Sequence, residues 1–340
     1  MSQHHPITHH PITLGTTLYS FTNEFHARQA SLEDLIRETD RRGLGPALEV
    51  VGFQSFRSFP DVSDAEADRF KAVLAETSLY ANCLGINADR FMHPGTPISD
   101  DEMVEFHLRQ IAAAAKLGFK CVRYQNTATP GVIRRCVDLA EKLGVKLGLE
   151  IHAPHSANHP DIVKYRTMYD EVGSDLLGFI PDFGATAHAV PDLHLNYFRN
   201  VVGAPETAIQ KALEIWHDDA IEPFQRFGAL MQWAGKNGVE DRHAVELMII
   251  YGIINRMEPE SWAEIMPQCF HIHGKFYDVD PATGKEAAID YDRTMKVFLD
   301  NGFSGTISGE WEGHMVDDGS GFARVEAWHA MMRNILGAGA

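Results

Sequence analysis

A single α/β domain, a (β/α)8 TIM barrel with a helical insertion between strands 6 and 7, is the fold this sequence predicts. Three observations carry it. Short β-rich runs alternate eight times with amphipathic helical stretches, at about 30 residues per pair. The runs are almost continuously apolar, as strands covered by helices on both faces must be. No G-x-G-x-x-G follows the first run, which weakens the competing reading of a doubly wound, dinucleotide-binding sheet.

The chain opens MSQHHPITHHPIT, in which HHPIT occurs twice. Residues 1–13 read as a disordered His-rich tail able to catch metal ions adventitiously, and residues 14–340 as one barrel domain. The strand candidates are LGTTLYSF (14–21), ALEVVGF (47–53), LYANCLGIN (79–87) and FKCVRYQ (119–125) in the first half. In the second half they are VKLGLEIH (145–152), LLGFIPDF (176–183), CFHIHGKF (269–276) and SGTISGEW (304–311). The helices between them open on capping-box pairs, Ser31 with Asp34, Ser63 with Glu66 and Ser99 with Glu102. Several stop on glycine, at Gly43, Gly118, Gly144 and Gly302.

One connection breaks the rhythm. Ninety-one residues separate Asp182 from His273, against 32 from Glu150 to Asp182 and 37 from His273 to Glu310. This places an insertion at about residues 189–267. Its apolar stripes predict helices at Ile209, Leu213 and Trp216, at Phe224, Phe227 and Met231 beyond Pro223, and over residues 243–257. Those stripes fit either intramolecular packing or a subunit interface.

Composition narrows the function. The chain of 340 residues is 44% hydrophobic and 23% charged, enough for a sizeable core. Its net charge of −17 repels phosphate backbones and anionic lipid, so neither nucleic acid nor membrane is an expected partner. Cys83, Cys121, Cys136 and Cys269 form no C-x-x-C pair and read as free, buried thiols. With no signal peptide and no apolar run of about 20 residues, a cytoplasmic location is expected.

Reactive groups of such barrels lie at the C-terminal strand ends. There Glu150, Asp182, His273 and Glu310 end strands 5, 6, 7 and 8 in succession, so their side chains can converge on one ion. Three carboxylates and an imidazole favour a divalent ion, Mn²⁺ first, with Mg²⁺, Co²⁺ or Zn²⁺ as alternatives. His152 and Lys275 lie two residues beyond Glu150 and His273, hence on the same barrel face. His152 is the candidate base, its alternative being a packing or ligand-supporting histidine. Lys275 is the candidate to stabilise negative charge. Arg123, Gln125, Asn87 and Glu49 are candidates for hydroxyl recognition. His155, His159, Glu312 and His314 lie on adjoining loops, and of these His314 is carried forward as a substrate contact.

Glu on strand 5, Asp on strand 6, His-x-Lys on strand 7 and Glu on strand 8 resemble the xylose-isomerase-like barrels of the sugar phosphate isomerase/epimerase superfamily. The resemblance implies a divalent metal held by Glu150, Asp182, His273 and Glu310 and bridging adjacent sugar oxygens. Many members have a histidine three residues after the strand-6 aspartate. Here that position is Ala185, and the next histidine is His188. The stretches LEIHAP (149–154), HIHGKFYDVD (271–280) and SGEWEGH (308–314), with the helical insertion, look like the large subunit of bacterial C-glycoside deglycosidases. This implies a lyase acting on 3-oxo-C-glycosides, with a small β-rich partner subunit in a hetero-oligomer. Two further readings stand beside it: a sugar or keto-sugar isomerase/epimerase using the same α-carbonyl proton abstraction, and a non-catalytic sugar-binding subunit.

Overall fold

The computed structural model describes residues 12–92, 95–316 and 318–337. Eight parallel strands form its centre: β1 (Thr13–Thr17), β2 (Ala47–Val51), β3 (Tyr80–Gly85), β4 (Cys121–Tyr124), β5 (Lys146–Ile151), β6 (Leu177–Pro181), β7 (His271–Phe276) and β8 (Thr306–Trp311). Each pairs with its sequence neighbour from β1 to β6, β1 also pairs with β8, and β8 with β7. Parallel bridges Phe179↔Cys269 and Asp182↔His273 link β6 to β7, so the sheet closes into the expected barrel.

Most of the tail lies outside the described residues. Its end does not: Ile12 is buried and Thr13 pairs with Thr306, so the barrel begins one to two residues earlier than the sequence suggested. The first strand is also shorter than read, because Leu18–Phe21 turn into a 3-10 helix whose N-cap, Thr17, accepts from the Tyr19 amide. All three capping boxes form, with each serine hydroxyl accepting the third backbone N–H and the acidic side chain answering the serine amide. Gly118 and Gly144 end their helices in the left-handed conformation that costs a Cβ-bearing residue most.

The helical insertion is present. Glu206–His217 and Arg226–Asn237 are helices, separated at Pro223 by a short 3-10 turn. The helix read over residues 243–257 is two, Asp241–Leu247 and Ile249–Ile253, and the chain is extended from Ile254. Tertiary hydrogen bonds explain the break: the Asn255 and Met257 amides donate to the carbonyls of Gly184 and Ala185, just past β6. Trp216, Leu230, Leu247 and Trp262 are buried in the main core, so intramolecular packing accounts for much of the insertion's apolar face. Val201, Phe224, Val245 and Met248 remain exposed. A small hairpin after β7, Val279–Asp280 with Lys285–Glu286, was not foreseen.

Strand alternation divides the residues between two environments. One set packs outward under the helices as the main core. The inward set starts with a small apolar layer, Cys83, Cys121 and Ile180 against Phe270, and continues upward as a polar layer. Cys83, Cys121 and Cys136 are buried, Cys269 is only partly so, and all four are free thiols.

Candidate metal centre and the cavity above it

The pleat and the register assemble the polar layer. Residues 150, 182, 273, 275 and 310 share the inward parity of their strands, and the Asp182↔His273 and Glu310↔Lys275 pairings set neighbouring side chains level. Glu150, Asp182, His273 and Glu310 are all buried, and each offers a ligand atom within 4.8 Å of the others. These are the four residues that end strands 5 to 8 in the sequence.

His273 Nδ1 faces Glu150 Oε1 at 2.8 Å and Glu310 Oε2 at 3.1 Å. Neither Nδ1 nor the facing Glu310 Oε2 makes a well-formed hydrogen bond, and Asp182 Oδ2 is in the same position despite Lys275 Nζ at 2.8 Å. Buried polar atoms left this way are costly unless a cation joins them. The charge balance agrees. Five carboxylates, Glu49, Glu150, Asp182, Glu310 and Glu312, stand against two permanent cations, Arg123 and Lys275. A divalent ion would offset much of the excess, so the residues present fit a metal.

The electrostatics follow. Burial pushes the Glu150 carboxyl up, but Arg123 and His273 outweigh it and hold Glu150 well below the usual range. Burial wins at Asp182, which is raised in spite of Lys275. Burial disfavours a charged His273, yet Glu310, Glu49 and Glu150 lift its pKa well above the ordinary histidine value. Lys275 is likewise raised against burial by Asp182, Glu312 and Glu310, and stays an ammonium.

His152 and Lys275 meet beside the cluster. Lys275 Nζ donates to His152 Nε2 at 2.8 Å and reaches Glu312 Oε2 at 2.7 Å. His152 Nδ1 donates to the Ala153 carbonyl at 2.7 Å, which leaves Nε2 as the ring's lone-pair atom. Above them opens a cavity of about 520 Å³, within the range of small-molecule sites. Glu150, His152, Lys275, Glu310 and Glu312 line its polar side, and Tyr19, Phe25, Val51, Phe53 and Ile86 its apolar side.

The remaining sequence candidates divide. Arg123 and Gln125 line the cavity, but Arg123 Nη1 is committed to Glu150 Oε2 at 2.7 Å and Gln125 Nε2 to the same oxygen at 3.3 Å. Asn87 also lines it, with Oδ1 accepting from the Ala88 amide and the Thr127 hydroxyl. His314 is not among the lining residues. Its ring stands edge-on to Tyr19 at 4.6 Å and packs on Trp311 at 5.5 Å. Glu49 is wholly buried and bonded to His271, His273 and Arg123, so hydroxyl recognition is closed to it. His155 and His159 pack on Phe224 of the insertion, and His188 lines a separate cavity of about 820 Å³ beside the hairpin. The apolar wall was missed in the sequence. Only Tyr19, two residues past Thr17 at the exit of β1, had a positional signal.

A closed parallel barrel with acidic and imidazole donors at its C-terminal mouth defines the class, and comparison with known proteins agrees. The chain belongs to the xylose isomerase-like TIM barrel family, whose model matches residues 45–334. Within that class it resembles the 3'-dehydrocarminate deglycosidase alpha subunit of a Microbacterium species, 36% identical over 335 residues and 95% of each chain. It also resembles the C-glycoside deglycosidase alpha subunit of Microbacterium trichothecenolyticum, 38% identical over 88% of this chain and 83% of the relative. Among solved structures, D-psicose 3-epimerase shares the fold with a TM-score of 0.56 at 12% identity, covering 96% of this chain and 100% of that one. The IOLI protein with a zinc atom does so with 0.55 at 13% identity, over 96% and 99%. The protein is an enzyme, as its deglycosidase relatives and epimerase fold neighbours together mark it. Among the described residues no helix is long and apolar enough to cross a membrane.

Proposed function

We propose that this chain is the metal-dependent catalytic subunit of a C-glycoside deglycosidase, a carbon–carbon lyase acting on 3-oxo-C-glycosides. The observation that carries the reading is the meeting of His152 Nε2 and Lys275 Nζ at 2.8 Å beside the four-donor cluster, under a cavity polar on one side and aromatic on the other. Relatives acting by name on C-glycosides and on a 3'-dehydro compound supply the substrate class.

Glu150, Asp182, His273 and Glu310 would hold the ion, Mn²⁺ in first place. When bound, it supplies a Lewis acid for negative charge developing on a sugar oxygen. The other steps belong to the chain. The C3 ketone acidifies the C2 proton, and His152 Nε2 removes it while Nδ1 stays bonded to the Ala153 carbonyl, which fixes the tautomer. Lys275 now blocks that lone pair, so a substrate oxygen that takes over the ammonium's hydrogen bond frees the base. The C2–H electron pair becomes the enolate. Its collapse restores the C3 carbonyl, forms the C1–C2 double bond and expels the aglycone carbon with the C1 bonding pair. A proton returns to the aglycone. The aromatic wall of Tyr19, Phe25 and Phe53 suits an apolar aglycone, and we assign Gln125 and Asn87, which line the same cavity, to the sugar hydroxyls.

The relatives' designation as alpha subunits supports a partner chain, which we assign as small and β-rich, in a hetero-oligomer. An epimerase reading uses the same base and ion, and the fold neighbours favour it as the alternative. Products decide between them. The protein, with its partner and Mn²⁺, is given a 3-oxo-C-glycoside and the mixture is resolved by chromatography. Free aglycone is expected. Changed sugar stereochemistry with no aglycone would establish the epimerase, and an unchanged substrate with full ion occupancy the non-catalytic subunit.

A further inference from the structure

We infer that Glu49 is a positioning residue that fixes which nitrogen of His273 faces the cluster, through a directed hydrogen-bond chain running along the barrel interior. The role rests on the proposal that the cluster holds a divalent ion.

The chain starts at Asn82, whose Nδ2 can only donate, and does so to Thr306 Oγ1 at 3.0 Å. The Thr306 hydroxyl hydrogen is then directed to His271 Nδ1 at 2.6 Å. The ionised Glu49 carboxylate only accepts, so His271 Nε2 donates to its Oε2 at 2.8 Å, and Nδ1 of the neutral ring is left to accept from the Thr306 hydroxyl. From the other side His273 Nε2 lies 2.8 Å from Glu49 Oε1 and 3.0 Å from Oε2. An ionised carboxylate only accepts, so it keeps a proton on His273 Nε2 and makes Nδ1 the nitrogen left to an ion. Nδ1 is the nitrogen that faces Glu150 and Glu310. Arg123 Nε, at 3.3 Å from Oε1, is a third donor to the same carboxylate. Glu49 has no exposed surface, so it touches neither solvent nor the cavity, and its action on the site passes through His273.

Glutamine tests this with little change of shape. Its amide has one accepting oxygen where Glu49 meets three donors, and its NH2 would push the His273 proton toward Nδ1. Metal affinity is measured by competition with a chromogenic chelator, using Mn²⁺ and Zn²⁺ alone, without substrate. Glu49→Gln is expected to bind each ion about 10 to 100-fold more weakly than wild type, the range typical when a carboxylate supporting a metal-bound histidine is removed. Equal affinity in the two proteins would overturn the positioning role while leaving the metal intact. A wild type that binds neither ion would instead remove the metal reading and this role with it. Should Glu49→Gln fail to fold, 15N NMR of the wild-type histidines in the zinc-loaded protein gives the same decision. It should show His273 protonated at Nε2 and ligated at Nδ1, and ligation through Nε2 would refute the inference.

Discussion

At the scale of single residues, the base role proposed for His152 can be tested apart from metal binding. Its Nε2 is engaged by Lys275 Nζ at 2.8 Å, and its Nδ1 is tied to the carbonyl of Ala153 at its own strand's exit. Replacing it with asparagine should therefore lower kcat by about 10²–10⁴, the usual contribution of a positioned base, while metal bound per chain after dialysis stays unchanged. Elemental analysis and initial rates on one preparation check both halves, and lost metal would instead mark His152 as a support of the cluster. This residue was legible because period-2 alternation carries the inward face of Glu150 forward to it, and the same argument found Lys275. Glu49 obeys the alternation too, yet its role was not legible. What it touches lies on β7, 222 and 224 residues away in sequence, and only the closed barrel brings β2 opposite β7. The surroundings of His314 were not legible either, because its ring packs edge-on against Tyr19, which lies 295 residues earlier in the sequence.

At the scale of elements, the turn after β6 is the tightest joint of the site. Asp182 caps it, its Oδ1 accepting from the Gly184 amide at 2.7 Å. The end of the insertion runs back along the same turn, donating to the Gly184 and Ala185 carbonyls. A Cβ at Gly184 would stand 2.6 Å from the Ile253 carbonyl oxygen, 2.8 Å from Lys275 Cδ and 3.0 Å from Asp182 Oδ1. The first is main chain and the other two belong to the buried Lys275–Asp182 ion pair, so something must move. Gly184→Ala should cost about 1–3 kcal/mol of stability, the usual overpacking penalty, and should also weaken metal retention because Asp182 and Lys275 are the groups displaced. Urea unfolding and ion content check the two effects, and a variant with wild-type values for both would show that the turn relaxes freely. The strands and capping boxes were legible because local pattern specifies them. The break after Ile253 was not, since apolar periodicity continues to Met257 while hydrogen bonds to β6's exit pull the chain out of the helix.

On the scale of the whole molecule, the buried histidines set how the fold responds to acid. His194 and His329 are each pushed down to about 3, by burial first and then by Lys275 and Arg333 respectively. A histidine depressed in this way stays neutral in the folded chain while the unfolded chain takes up its proton near pH 6.5. The unfolded state then binds more protons, so stability falls as pH drops below that value. Lowering the pH from 6.5 to 5 should cost up to about 2 kcal/mol for each of the two, a large share of the 5–15 kcal/mol that typically holds a domain together. His273 does not offset this. Its raised pKa leaves it protonated in both states below 6.5 in the metal-free protein, so its contribution is constant across the window. Glu150 and Glu49, held below the usual carboxylate range, lose their contribution only as pH falls below about 4.5, outside it. Glu286 works the other way: burial raises its carboxyl to about 7, so between pH 6.5 and 5 the folded chain holds a proton that the unfolded chain releases, and it offsets about one of the two histidines. His155, pushed down to about 4 by burial, acts in the histidines' direction. The urea midpoint of the metal-free protein should therefore decline between pH 6.5 and 5, by less than the histidines alone would give. His329→Gln should remove about half of the decline due to His194 and His329, with the Thr16 hydroxyl, 2.9 Å from His329 Nε2, still within reach of the new amide. An unchanged slope in that variant would show that His329 takes up its proton without unfolding the chain.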